Sequence, residues 1–300
     1  MPATLTDYQH DLGGLVIGAG TPISIAAIEG LGRVPVRTGD VDPPHSDGTW
    51  LGADYYTGRT IRIDAAIKTP SDPAAALDVL AALERLHDDP SLRLTGGATT
   101  ALRLKFPGRD VRVVFGRLRK ADANLTQLIH GWVPIDVEFL TADPLFYSDR
   151  EEQAQLPLGV IAGGGFIAPV TAPIRVTPVP GTTARPGWIS VEGAAPAWPV
   201  LRITGPCANP AVTHVESGQV LRLDAVIDPG DWIEIDTRPT WRSVLRKNGG
   251  SVPLASGRLD TFSLPPGRSE IRWSAVDPTN TARLTVTWRP AWPTLGGAPQ

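Results

Sequence analysis

The chain has 300 residues, with 31 glycines, 30 prolines and a net charge of -3 from 28 basic and 31 acidic side chains. That much Gly and Pro excludes a coiled coil or helical bundle, because both residues break helices. Regular patterning of 42% hydrophobic residues excludes a disordered chain. The near-neutral balance leaves no basic footprint for nucleic acid, and the single cysteine, Cys207, excludes an internal disulfide. At the usual ~100–200 residues per domain, a mainly β protein of two domains is expected.

In chain order, residues 13–28 carry no charge and are preceded by Asp7 and Asp11, so they lack the basic start of a signal peptide. The run Leu15-Val16-Ile17-Gly18-Ala19-Gly20 sounds like a dinucleotide-binding turn. The third glycine of that fingerprint is replaced by Ile23, Pro22 intervenes and no βαβ repeat follows, so the run reads as an ordinary Gly-rich turn. Residues 60–68 alternate as a half-buried strand, with Ile61, Ile63, Ala65 and Ile67 on one face. Asp72 and Pro73 form the N-cap and first position of a helix whose stripe is Val79, Leu80, Leu83 and Leu86. Leu102, Leu104 and Phe106 alternate into the turn at residues 107–110, and Val111, Val113 and Phe115 return, which predicts a hairpin or meander. A strand at 132–139 and the close Asp143-Pro144-Leu145-Phe146-Tyr147 end the first half.

Residues 153–174 are uncharged and long enough to span a bilayer. Pro157, Pro169, Pro173 and Gly163-Gly164-Gly165 interrupt them, so they are expected to connect domains and not to enter a membrane. The expected organisation is an α+β domain over 1–150, a linker region over 151–175 and a β-sandwich over 176–300. Apolar faces recur in the last part as Leu201/Ile203, Leu221/Leu223/Ala225/Ile227, Ile233/Ile235, Ile271/Trp273/Ala275 and Leu284/Val286/Trp288. Turn pairs separate them, with Asn248-Gly249 the strongest hairpin signal because a type I′ turn needs positive φ at both central residues. About eight short strands at this spacing predict a jelly-roll type of sandwich.

No residue set here assembles a catalytic site, and no cofactor is expected. The five histidines are scattered with no pair at a metal-ligand spacing, and Cys207 has no local base. One face holds attention: Trp232, Glu234 and Asp236 alternate with Ile233 and Ile235. A tryptophan beside two carboxylates can be a sugar platform, a glycosidase pair using Glu234 or Asp236, or the solvated face of an amphipathic strand. Trp273 and Trp288 occupy core-facing positions and read as sandwich filling.

The order of short motifs resembles the distal tail proteins of long-tailed phages (siphoviruses). The residues that carry the resemblance are Leu12-Gly13-Gly14-Leu15 through Thr21-Pro22, Ile28-Glu29-Gly30-Leu31, Gly58-Arg59-Thr60-Ile61 and Ala142-Asp143-Pro144. In the second half they are Gly230-Asp231-Trp232-Ile233-Glu234-Ile235-Asp236, Lys247-Asn248-Gly249, Leu264-Pro265-Pro266-Gly267 and Trp288-Arg289-Pro290-Ala291-Trp292. The resemblance implies a structural virion protein with a tail-tube-like, ring-forming first domain and a galectin-like β-sandwich. It implies a homo-oligomer, commonly a hexamer, at the tail tip, made in the host cytoplasm and joining the tail tube protein to tip and adhesion proteins. It supplies no catalytic residues. A carbohydrate-binding or wall-binding module is the alternative.

Charge pattern, independently of the resemblance, suggests where subunits would meet. Asp40, Asp42, Asp47 and Asp54 lie in a stretch without Lys or Arg, interleaved with Trp50 and followed by Tyr55 and Tyr56. Residues 103–120 carry Arg103, Lys105, Arg112 and further basic residues against Asp110 alone. Either these are two solvated surfaces, or the acidic loop of one subunit lies on the basic hairpin of the next.

Overall fold

The computed structural model describes residues 3–158, 187–277, 279 and 281–296. The chain divides into two compact units. One contains Met1–Arg150, Gly193–Ala195 and Arg289–Gln300, and the other Glu151–Glu192 and Pro196–Trp288.

The first unit opens with strands β1 (Gln9–Leu12), β2 (Leu15–Gly18) and β3 (Ile23–Glu29). β4 (Val36–Arg37) and β5 (Tyr55–Tyr56) pair only with each other. Then come β6 (Thr60–Lys68), helix α1 (Pro73–His87) and the one-turn helix α2 (Pro90–Arg93). β7 (Thr100–Leu104), β8 (Arg112–Ala123), a 3-10 turn at Leu125–His130, β9 (Trp132–Thr141) and β10 (Phe146–Ser148) follow. The strands form one antiparallel sheet in the order β2-β1-β7-β8-β9-β6-β3, with β10 continuing alongside β8.

The strongest sequence patterns translate directly. β6 has the expected bounds, and its alternation buries Ile61, Ile63, Ala65 and Ile67. The Asp72 side chain accepts from the backbone N–H of Ala75, which caps α1, and Pro73 begins the helix. Ala76, Leu80 and Leu83 are the buried positions of α1. With Leu102, Leu104, Val114, Val133, Val137 and Phe139 they form the core on one face of the sheet.

The second unit begins with β11 (Glu152–Pro157), β12 (Trp188–Val191), β13 (Val200–Thr204), β14 (Cys207–His214) and β15 (Gln219–Arg222). It continues with β16 (Val226–Ile227), β17 (Trp232–Asp236), β18 (Ser243–Arg246), β19 (Gly267–Val276) and β20 (Arg283–Trp288). One antiparallel sheet runs β11-β20-β13-β17-β18 and the other β12-β19-β14-β15, with β16 on β14. Their inner faces supply a single core that includes Leu201, Ile203, Ile233, Ile235, Phe262, Leu284 and Val286. Trp273 is buried there, and its indole N–H donates to the carbonyls of Leu156 and Pro157. The fold is therefore mainly β, an α+β unit and a sandwich. Gly249 turns the chain after β18, but Asn248 is absent from the positive-φ residues, so this turn is not type I′.

Two boundaries differ from the sequence reading. Residues 152–157, expected in the linker, form β11 of the sandwich and pair along β20. The remainder of the expected connection, 159–174, lies outside the described residues. The tail does not stay with the sandwich: β21 (Ala291–Trp292) pairs with β10 in the first unit. Short apolar strands state that they are strands and do not state which sheet receives them. Proteolysis within 159–186 is expected to give two fragments on a denaturing gel. Both ladders, β10·β21 and β11·β20, join one fragment to the other, so the fragments should co-elute in native size exclusion. Separate elution would contradict these pairings.

Candidate functional site

The most constrained polar site of the first unit centres on Arg59, which is 1% exposed. Its Nε donates to the Pro144 carbonyl at 2.9 Å, and Nη1 donates to those of Gly30 and Gly32, each at 3.1 Å. Nη2 donates to the Pro293 carbonyl at 2.9 Å, and the guanidinium lies 4.3 Å from the Phe146 ring centre. Gly30 belongs to this site by backbone shape: its φ is +83°, and a Cβ there would sit 2.0 Å from the Thr60 carbonyl. Burial pulls the Arg59 pKa down, and the Asp143 charge opposes that shift. Asp143 accepts from the Leu145 backbone N–H and the Tyr147 hydroxyl, while its own burial pushes its pKa up. Sequence motifs contained Arg59 and Asp143, but no local pattern marked them as neighbours.

The acidic stretch forms an arm. Val36 pairs with Tyr56 and Arg37 with Tyr55, and a further bridge joins Val41 to Trp50. Asp40 accepts from the Gly52 backbone N–H, and Asp42 from the Thr49 hydroxyl. A Cβ on Gly52 would lie 2.2 Å from the Gly39 carbonyl, so the two sides can cross closely only with glycine there. Asp47 and Asp54 are exposed. The apolar residues are exposed as well: Trp50 at 81%, Leu51 at 85%, Tyr55 at 60% and Tyr56 at 61%. About six or seven residues a side from the base to the tip give a reach of about 20 Å.

Two of the three basic residues expected at the interface, Arg103 and Arg112, are buried. Arg103 is 9% exposed, bonded to both carboxylate oxygens of Asp149 and to Asp11. Arg112 is 5% exposed and stacks 3.3 Å from the Trp292 ring centre. Lys105 pairs with Asp7 and donates to the Arg109 carbonyl. Pairing in register explains the error. Arg103 stands opposite Val113, and Arg112 opposite Leu104, so the two arginines point to opposite faces of the sheet. The expected common basic face requires a different register.

The tryptophan-carboxylate face is also occupied. Arg202 lies 4.6 Å over the Trp232 ring and bonds Glu234 at 2.6 and 2.9 Å. Asp236 is 6% exposed and is bridged by Arg238, which lies over Trp241. A sugar platform needs a free aromatic face, and here Arg202 covers it. Cys207 is buried, and burial pushes its thiol up to about 11, far from a thiolate at neutral pH. Among the described residues there is no group of three His, Cys, Asp or Glu able to hold a metal, and no helix long and apolar enough to cross a membrane.

The Gly-rich turn 18–21 borders a groove of about 670 Å³. His10, 2% exposed, lies in its wall, tilted against Phe106 and accepting at Nδ1 from the Lys105 backbone N–H.

Residues 192–292 match the family model of the siphovirus-type tail component, C-terminal domain. A search of curated proteins found no match. Among solved structures, the chain is similar to the Dit protein (gp 19.1) of phage SPP1, described as a paradigm of the hub adsorption apparatus in phages infecting Gram-positive bacteria. Identity is 13%, coverage 94% of this chain and 98% of that one, and the TM-score 0.60. It is similar also to a chain of the phage P2 baseplate in its activated conformation with Ca, at 13% identity, 93% and 97% coverage and a TM-score of 0.53.

Two expectations follow from these geometries. Arg59→Met takes the buried donor from four backbone carbonyls and the opposite charge from Asp143, and should cost the first unit about 3–5 kcal/mol in urea unfolding. The sandwich's own transition should stay in place. Burial lowers the His10 pKa from 6.5 to about 4, so the folded state holds the neutral ring. Its contribution is complete above pH 6.5 and is lost as pH falls toward 4, at up to about 1.4 kcal/mol per pH unit. The difference in stability between wild type and His10→Gln, measured by thermal unfolding from pH 7.5 to 4.5, should shrink with that slope. The resemblance read from the motifs is thus borne out: residues 192–292 match the siphovirus-type tail component, C-terminal domain, and the chain shares the fold of a phage hub protein over nearly its whole length.

Proposed function

We propose that this protein is a structural hub of a siphovirus tail tip, an oligomeric ring that joins the tail tube to the tip and adhesion proteins. The observation that carries this reading is the pairing of two independent findings. The sandwich residues match a tail-component domain, and both units together follow the fold of a hub protein from end to end. The ring is expected to be a hexamer, located in the virion after synthesis in the host cytoplasm.

The arm supports an oligomer because Trp50, Leu51, Tyr55 and Tyr56 all stay exposed among the described residues. Trp50 and Leu51 at its tip are the anchors, since an aromatic and an aliphatic group desolvated together dominate small interfaces. The aspartates Asp40, Asp42, Asp47 and Asp54 steer it toward a positive or neutral surface. A closed ring needs a heterologous contact, two different patches on each subunit, and the arm is one of them. Arg103 and Arg112 are not the second, because both are engaged inside the first unit.

The arrangement favours scaffolding over turnover. Glu234 and Asp236 are held by Arg202 and Arg238, and the resembled proteins are components of a hub and a baseplate. Native mass spectrometry with negative-stain microscopy tests the reading. Closed rings are expected, and Trp50→Ala with Leu51→Ala should shift them to monomers while circular dichroism is unchanged. A monomer at all concentrations that binds glycans at micromolar levels would replace the hub with a carbohydrate-binding module. Hydrolysis abolished by Glu234→Gln would replace it with a glycosidase.

A further inference from the structure

We infer that the groove between β2 and β3 is the acceptor for the arm of a second copy of this chain, an inference that rests on the oligomeric reading above. β2 and β3 are consecutive in sequence, yet they stand at the two ends of the strand order. β2 pairs with β1 alone and β3 with β6 alone, so each keeps one edge of backbone groups outside the ladder. The groove of about 670 Å³ is lined by β3, by Gly18 at the end of β2 and by the turn that joins the two strands. Half-buried Ile25, Ile28, Leu31 and Phe106 line it, which makes the surface apolar. An uncovered sheet edge above apolar side chains is the pattern that accepts an extended segment of another chain.

Charge selects the occupant. Lys68 is the groove's cation. It rests 4.8 Å from the Trp132 ring centre and donates to the Ser24 hydroxyl, with no carboxylate partner among the described residues. His10, the other basic group in the lining, is held neutral by its burial. The arm brings the complement: Asp40, Asp42, Asp47 and Asp54 with no Lys or Arg between them, and Val41, Trp50 and Leu51 as apolar contacts. Its sides are already extended, so docking requires little ordering of backbone. A groove at one place on each subunit and an arm at another form the heterologous pair that a ring requires.

Ala26 is exposed in the groove lining at the bulge of β3, so it reports on docking without disturbing the core. Leu51→Cys and Ala26→Cys proteins, each unable to cross-link in this way alone, are mixed under mild oxidation; buried Cys207 does not compete. A disulfide-linked dimer of one of each is the expected result. Ala26→Glu should require at least tenfold more protein to assemble, and Ala26→Lys should assemble as well as wild type, a sign dependence that steric blocking alone would not produce. If wild-type rings form but neither the cross-link nor the charge dependence is seen, the groove assignment is wrong and the hub reading stands. A cross-link confined to single chains of the double variant overturns it in favour of an arm folded onto its own groove. If wild type never assembles, the oligomeric reading fails and this inference with it.

Discussion

A permanently charged guanidinium is buried at the point where four stretches of the first unit meet. Arg59 leads into β6, the centre of the expected sequence pattern, and its donors end on carbonyls from residues 30 and 32, 144 and 293. Carbonyl groups at chain reversals have no ladder partner, and burial without a donor is costly. One arginine satisfies several at once because its planar fork presents five N–H groups in fixed directions. Asp143 supplies opposite charge nearby while its own oxygens are used by Leu145 and Tyr147. The site ties together the end of β3, the turn from β9 into β10 and the segment just after β21.

The other face of the same sheet depends on a second buried cation. Asp11, Arg103, Val113, Tyr147 and Ala291 are successive cross-strand partners over β1, β7, β8, β10 and β21. Arg103 bonds Asp11 and Asp149 on this row, and a small apolar cluster of Val113, Leu145, Tyr147, Ala195 and Ala291 lies on the same face. Covering both faces removes Arg103 and Arg112 from solvent. On the proposed oligomeric reading, assembly uses the arm and the open seam of the sheet.

Tryptophan in the sandwich has a different use from the one its abundance suggests. Trp273 and Trp288 fill the core, while Trp188, Trp198, Trp232 and Trp241 each lie under an arginine. An aromatic face covered by a guanidinium is desolvated and electrostatically satisfied. In each of these four rings one face is occupied by an arginine. This use of tryptophan accords with the scaffolding role proposed for the sandwich.

Local patterns by themselves determined a good deal. Alternation set β6, the Asp72-Pro73 pair set the start of α1, and spacing of apolar pairs set the sandwich, because each depends on neighbours within a few residues. The order of motifs also carried the family resemblance. Tertiary structure alone decided that Arg103 and Arg112 are buried on opposite faces, since a single step of register exchanges inside and outside. It decided too that residues 291–292 join β10 rather than the sandwich, and that Arg59 meets a carbonyl 234 positions further along the chain. A hydrogen-bond donor in the sequence names its chemistry, but only the packed chain supplies the acceptor.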